Sequence, residues 1–318
     1  MHLIFGSGPI GLATLDALRR RGESVRIVNR TGHAPVPEDV EVVAGDAADP
    51  DFCVRVARGA DVVYQVLSPA YHRWSAEFPA LQAAILAAAQ ATGARLVSLE
   101  NVYMYGRYTG KPFTEDSPWR PHTRKGMVRA AMARELLAAH EAGRASVVIA
   151  RASDYFGPRG ESQSNLGERV LGPALHGGTA RVLGDPDQPH TYTYLPDIGE
   201  GLAALGAHPA AVGRVWHLPN DPTPHTTREL VDALYHLAGR APARIQGTPA
   251  WQLRLAGLFN PGARETVEML YEFTEPFLVD SREITTRLGL RATPLEQALK
   301  ETLASYRRAG SAGSVPSR

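Results

Sequence analysis

The chain has a single cysteine, Cys53, in 318 residues. One thiol excludes an intrachain disulfide and any cysteine-built zinc site, and it suits a reducing compartment. Lysine is almost as scarce. Of 34 cationic residues only Lys111, Lys125 and Lys300 are lysines, so lysine chemistry can be audited residue by residue. Neither sign of charge dominates: 34 Lys plus Arg stand against 33 Asp plus Glu, a net charge of +1. That balance lacks the basic stripe of a nucleic-acid binder. No uninterrupted apolar run reaches the roughly 18 residues of a membrane span, and the apolar start MHLIFGSG is too short for a secretory signal. His-Glu-x-x-His, G-x-x-x-x-G-K-[ST] and G-x-S-x-G are all missing, which removes the commonest zinc, nucleotide-hydrolysis and serine-hydrolase templates. The expectation is a cytoplasmic protein with no metal, nucleic-acid or membrane partner.

What is present is an alternation. Short apolar runs at His2–Phe5, Val25–Val28, Val40–Val43, Asp61–Val66, Arg95–Ser98 and Ser146–Ala150 read as strands buried on both faces. Between them Leu12, Leu15 and Leu18 recur at helical spacing, as do Phe78, Leu81, Ile85 and Leu86, then Val128, Met132, Leu136 and Leu137. Gly22, Gly93 and Gly143 fall where these helices should stop. This is the pattern of βαβ units on a parallel sheet. Past residue 156, Gly- and Pro-rich loops separate helices such as Thr227–Ala238 and Pro294–Tyr306, and Val215–Leu218 is an apolar strand fit to return to the first sheet. The expected fold is α/β: a Rossmann-type doubly wound parallel sheet with a smaller, interleaved C-terminal substrate domain. Residues 1–155, rejoined by about 181–218, form the dinucleotide-binding domain; 156–180 and 219–308 form the substrate domain; 309–318 form a flexible tail.

The first strand runs into Gly6-Ser7-Gly8-Pro9-Ile10-Gly11 and then a helix. This is G-x-G-x-x-G in its strand–turn–helix context. Gly6 allows the turn, Gly8 lets a pyrophosphate approach the backbone, and Gly11 permits close packing of helix on strand. The helix N-terminus adds free N–H groups and a favourable dipole. At the end of the second strand, where an NAD site places a carboxylate for the ribose 2′-hydroxyl, stand Asn29 and Arg30. An amide followed by a cation suits a 2′-phosphate, so NADP(H) is expected over NAD(H). Asp46, after the third strand, is either an acceptor for the adenine amino group or an ordinary turn carboxylate.

Further along, the order of motifs resembles the extended short-chain dehydrogenase/reductases of the NAD-dependent epimerase/dehydratase type. The likeness is carried by Asp61–Leu67, Leu96–Gly106, Pro112–Pro118, Arg151–Pro158, Gly184-Asp185, Tyr192–Asp197, Val215–Pro219 and Asp280–Thr293. The resemblance implies a nicotinamide enzyme whose pocket is lined by Leu67, Ser68, Ser153 and Tyr155, and a homodimer through the Ala-rich helices near 78–92 and 126–142. The departures bear on chemistry. That family's Tyr-x-x-x-Lys pair transfers a proton through a tyrosine whose pKa the lysine lowers. No lysine here has a tyrosine four residues before it; Arg107, Pro121 and Glu296 stand there instead. By register the pair is replaced by Met127 and Ala131, and the assisting serine by Asn101. The Arg-Asp pair that clamps nucleotide diphosphates is matched by His190 and Thr191, although Asn165-Leu166 agrees with a substrate-loop element. A lost arginine at a pyrophosphate clamp is a large change, so the expected substrate is a small molecule other than a nucleotide sugar.

The residues left for catalysis are Tyr103 as proton donor, Asn101 as a carbonyl partner and Lys125 as a cation near the cofactor or substrate. Asp154 and His190 are candidates for an acid/base pair that the sequence alone does not bring together. Three functions follow: an NADP(H)-dependent oxidoreductase of a small carbonyl, imine or enone metabolite; an isomerising epimerase or dehydratase with tightly held NAD; and a non-catalytic dinucleotide sensor.

Overall fold

The computed structural model describes residues 1–312, with side chains described through residue 308. In chain order the elements are β1 His2–Phe5, α1 Pro9–Arg20, β2 Val25–Asn29, β3 Glu41–Ala44, α2 Pro50–Val56, β4 Val62–Gln65, α3 Trp74–Thr92, β5 Arg95–Glu100, α4 Arg124–Glu141 and β6 Val147–Arg151. Then come β7 Asp154–Phe156, α5 Glu168–His176, β8 Thr179–Leu183, β9 Tyr192–Tyr194, α6 Leu195–Ala207, β10 Val215–His217, α7 Thr227–Leu237 and β11 Arg244–Thr248. The last helices are α8 Ala250–Ala256, α9 Pro261–Thr266, α10 Arg282–Leu288 and α11 Leu295–Ala312.

Seven strands form one parallel sheet in the order β10-β6-β5-β4-β1-β2-β3. The Rossmann-type doubly wound sheet is therefore present, and Val215–Leu218 does return to it: Val215, Trp216 and His217 pair with Ile149, Ala150 and Arg151. The central strands are apolar on both faces because helices cover both. Leu3, Phe5, Val63, Leu96, Val147 and Ile149 pack with Cys53 and Val56 of α2, Ile85 and Ala88 of α3, and Leu136 and Ala139 of α4. Each large aliphatic side chain so buried contributes about 1.5–3 kcal/mol. The edge strand β3 differs: Glu41 and Ala44 are exposed and Val42 and Val43 only half-buried, as one open edge allows. Thr123 caps α4 by accepting from the Gly126 amide at 3.1 Å, and Gly93, at φ +74°, ends α3 in the left-handed conformation that favours glycine.

The chain divides into two compact units: residues 1–106, 115–152 and 198–218, and residues 107–114, 153–197 and 219 onward. The second unit holds two parallel two-stranded sheets, β8 with β11 and β7 with β9. Its core packs Phe156, Leu166, Val170 and Leu171 against Leu230, Val231 and Leu234 of α7 and Leu299 and Leu303 of α11. The α11 helix reaches Ala312, past the point at 309 where the sequence suggests a tail, because an established helix propagates cheaply into Ala309. Residues 313–318 of that expected tail lie outside the described residues. No helix among the described residues is long and apolar enough to cross a membrane.

Candidate active site

All seven strands are parallel, so the carboxyl ends of β1, β2, β3, β4 and β5 share one edge. Gly6–Gly11, Asn29-Arg30, Asp46, Leu67-Ser68 and Asn101 follow those ends in turn. The edge of such a sheet is where crevices for ligands form.

The glycine loop has the geometry its sequence suggests. Gly6 sits at φ +120° and its amide donates to the Val28 carbonyl at 3.0 Å, which ties the turn to β2. A Cβ on Gly11 would lie 2.1 Å from the Gly6 carbonyl oxygen, so only glycine lets α1 approach this closely. At Gly8 nothing lies within 4 Å of a Cβ position, which leaves an open cradle over the backbone. Gly8 is also the N-cap of α1, no side chain caps the helix, and its first turn holds no acidic residue. Orphan N–H groups and an unopposed helix dipole fit the phosphates of a dinucleotide.

Asn29 has structural work. Its Nδ2 donates to Ser7 Oγ and the His33 carbonyl, each at 2.8 Å, and its Oδ1 accepts from the Thr31 and Gly32 amides. It therefore ties the loop after β2 to the glycine loop. Arg30, beside it, is exposed. Asp46 Oδ1 accepts from the Ala48 amide at 2.9 Å, an Asx turn that leaves Oδ2 outward. Leu67 packs on the core under the loop, and Ser68 is exposed. Ser153 and Tyr155 fall in the second unit: Ser153 is buried, and Tyr155, half-buried, has its phenol pushed up to about 12 by burial.

Tyr103, Tyr105 and Tyr108 separate into distinct roles. Tyr105 is locked in the core: its hydroxyl lies 2.6 Å from His217 Nε2 and accepts from Arg151 Nη1 at 2.8 Å. Burial pushes it up to about 12. Arg151 in turn pairs with Glu100 at 3.1 Å, both essentially inaccessible, and desolvation pushes the Glu100 carboxyl upward against the pull of Arg151. Tyr108 sits edge-on to Phe113. Tyr103 stands half-buried just after β5, stacked on Trp74 with ring centroids 5.9 Å apart. Asn101 accepts from the Tyr103 amide at 3.2 Å and so shapes that turn.

The residue missed from sequence is Tyr71. Its hydroxyl donates to Tyr103 Oη at 3.3 Å, and Lys125 Nζ lies 4.4 Å from its ring centroid. Four residues on from Lys125, Arg129 places its guanidinium over Trp74 and Phe78, 4.7 and 4.1 Å from their centroids. Desolvation pulls Arg129 down to about 10. Lys125 is 2% exposed, so it is a buried cation and not a solvated one at the helix start. Met127 and Ala131, by contrast, face outward from α4. An i, i+4 spacing of two cations opposite Tyr71, just before α3, and Trp74, which opens it, was the available signal.

In the second unit the structure brings Asp154 and His190 together, 2.9 Å apart. Among the described residues no group of three or more His, Cys, Asp or Glu side chains is disposed to hold a metal ion.

A model of the NAD dependent epimerase/dehydratase family matches residues 3–218. The chain belongs to that family. A curated relative, the uncharacterized protein y4nL of Sinorhizobium fredii, is 24% identical over 234 residues, which are 70% of this chain and 62% of that protein. Among solved structures, a double mutant of DesIV, the dTDP-glucose 4,6-dehydratase of Streptomyces venezuelae with NAD bound, superposes with a TM-score of 0.77. Identity is 20%, with 96% of this chain and 97% of that one covered. The UDP-glucose 4-epimerase of Thermotoga maritima, solved with UDP-glucose, gives a TM-score of 0.79 at 16% identity, over 97% and 99% of the two chains. Likeness at such identities establishes the shared fold. The chain has no lysine four residues after a tyrosine.

Proposed function

We propose that this family member is an NADP(H)-dependent oxidoreductase acting on a small carbonyl, imine or enone metabolite, with Tyr103 as proton donor. The observation that carries the reading is the cluster Tyr103–Tyr71–Lys125 at the carboxyl end of β5. The cofactor supplies the hydride. What the chain must add is a proton at the atom that accumulates charge. Tyr103 has its oxygen engaged by the Tyr71 hydroxyl, and a buried ammonium beside Tyr71 stabilises negative charge developing on the linked phenols. Asn101, which holds the Tyr103 turn, would be the partner of the reacting carbonyl. Gly6, Ser7, Gly8, Pro9, Ile10 and Gly11 would hold the pyrophosphate, Arg30 the 2′-phosphate, and Asp46, Leu67 and Ser68 the adenosine side. Ser153 and Tyr155 are proposed as pocket-lining residues.

The reading excludes a nucleotide-sugar substrate because His190, where a clamp arginine would be, is stacked and hydrogen-bonded at both ring nitrogens. Fluorescence titration should show NADPH binding at least tenfold tighter than NADH, and no binding of UDP or dTDP. Y103F should lower kcat against a carbonyl panel by about 10²-fold or more, the usual worth of general acid catalysis, with cofactor affinity unchanged. Absence of NADPH binding at millimolar concentration would sink the proposal.

The family itself favours a second reading, an epimerase or dehydratase with tightly held NAD. Its sign would be NAD released from the purified protein on denaturation. We further propose a homodimer through the exposed small residues Ala76, Ala80 and Ala83 of α3 and Ala131 and Ala138 of α4. Ala83→Arg should then convert a sedimenting dimer to monomer; wild-type monomer at micromolar concentration would refute it.

A further inference from the structure

Apart from Met127 of α4, the exposed large apolar side chains among the described residues gather in one stretch of the second unit. Trp251 is 63% exposed, Leu255 58%, Leu258 72% and Phe259 90%. Scattered singly such residues need no explanation, but a cluster marks a surface that meets something. Trp251 and Leu255 stand one turn apart on α8, and Leu258 follows three residues on, after Gly257 at helical angles of −64° and −14°. The other side of α8 is anchored, with Leu253 buried against Leu270 and Phe273. A Cβ on Gly257 would lie 2.9 Å from Arg264 Cα, so α8 and α9 close on each other there and leave Leu258, Phe259 and Asn260 as a tip between them.

The backbone of that tip needs no water. The amides of Gly257, Leu258, Phe259 and Asn260 donate to the carbonyls of Leu253, Leu255, Ala256 and again Ala256, at 2.8–3.2 Å. Pro261 has no amide to satisfy. Asn260 Oδ1 accepts from Gly262 and Ala263, and its carbonyl accepts from Arg264. An apolar loop whose amides are all paired can leave water without orphaning a donor.

Its charge has one sign. Residues 240–264 hold four arginines and no Asp or Glu, in a chain whose net charge is +1. Arg254 and Arg264 flank the tip and are exposed, and the first acid after them, Glu265, is buried. A second copy docked symmetrically on this stretch would meet only its own arginines. A surface of lipid phosphates over acyl chains complements both the cations and the apolar side chains.

We propose that the tip between α8 and α9 docks on an anionic lipid bilayer. Leu258 and Phe259 enter the boundary between headgroups and acyl chains, Trp251 lies at headgroup level, and Arg254 and Arg264 meet lipid phosphates. The sequence argues only against a membrane span, and docking of this kind needs none. The inference holds whatever reaction the chain catalyses.

The test is co-sedimentation of the full chain at low salt with vesicles of phosphatidylcholine alone and of phosphatidylcholine mixed with phosphatidylglycerol. Wild type should pellet with the mixed vesicles only, and added salt should release it. Leu258→Ser/Phe259→Ser should weaken binding about a hundredfold, a factor of ten for each apolar side chain left in water. Arg254→Gln/Arg264→Gln should weaken it about fivefold for each cation. Brominated phosphatidylglycerol should quench wild-type tryptophan fluorescence, and Trp251→Phe should remove that quenching. No pelleting with mixed vesicles, equal pelleting with both kinds, or wild-type binding by Leu258→Ser/Phe259→Ser overturns the proposal. So does a lipid-free oligomer of the wild type that this double variant dissolves, which would make the tip a contact between copies. If the double variant fails to fold, the vesicle comparison and the quenching of the wild type decide.

Discussion

Two glycines of the phosphate loop, three residues apart, should respond to the same substitution in opposite ways. Gly8 has φ −73°, which any residue adopts, and a Cβ there would meet nothing within 4 Å. Gly8→Ala should therefore fold normally, while its methyl group occupies the space a pyrophosphate needs. Gly11→Ala brings its Cβ to 2.1 Å from the Gly6 carbonyl oxygen, where real contacts stay beyond 3.0 Å. Relief requires a separation of about 1 Å, and neither side yields freely. Gly6 is hydrogen-bonded to Val28 of β2 at 3.0 Å, and α1 is anchored by Leu12, Leu15 and Leu18, each 5% exposed or less.

Forced overpacking of this kind costs about 1–3 kcal/mol. For a chain of this size that is a fall in Tm of roughly 2–10 °C. The assay pairs thermal unfolding without cofactor with fluorescence titration of NADPH and NADH. Gly8→Ala should keep the wild-type Tm within about a degree and lose tenfold or more in affinity, one phosphate hydrogen bond being worth about 1.5 kcal/mol. Gly11→Ala should lose both. Wild-type affinity in Gly8→Ala would refute the assignment of the open cradle to phosphate. A wild-type Tm in Gly11→Ala would refute the packing argument.

Three further outcomes follow from the same structure. Arg30→Glu should invert the cofactor preference, weakening NADPH by tenfold or more while sparing or improving NADH; equal loss for both would remove Arg30 from the 2′-phosphate. Arg151→Met leaves the inaccessible Glu100 carboxyl without its partner, so urea unfolding should show a loss of about 3–5 kcal/mol, with the double variant Glu100→Met/Arg151→Met recovering most of it. No recovery would mean that the pair is not the source of the loss. Glu272 titrates near 4.3 in the unfolded chain but far higher when folded. Its contribution is complete below about pH 4 and is lost as pH rises through the folded value. Glu272→Gln should thus flatten the decline of Tm between pH 5 and pH 8, and an unchanged slope would show that Glu272 is ionised in the fold.

The sheet was legible because buried parallel strands carry an uninterrupted apolar signal: β1, β5 and β6 begin within one residue of where their Val, Ile and Leu runs begin. The glycine loop was legible because three backbone demands fall on three fixed positions. The second unit was read less well. β7 and β9 have three residues each, and β8 alternates Thr179, Ala180, Arg181 and Val182 with only two buried positions. Strands that short, held by one neighbour, leave no period to detect. The pairing of Asp154 with His190 depends on β7 lying beside β9, and nothing local in either segment announces that register.

The buried cations show a deeper limit. An amphipathic reading of α4 takes Val128, Met132 and Leu136 as the inner face and assigns charged residues to solvent. Lys125 and Arg129 lie next to that inner face, one turn apart, and are buried all the same. They are tolerated there because Tyr71, Trp74 and Phe78 of another element offer aromatic faces instead of aliphatic ones. Hydropathy scores a residue by its own transfer energy and is blind to what it will meet. The same blindness hides the cluster proposed above as proton donor. A tyrosine and a lysine 22 positions apart in the chain, Tyr103 and Lys125, both meet Tyr71, which comes from before α3. A motif confines its parts to one helix. A site needs only that they meet, and chemistry lost from a motif can persist where three separate elements converge.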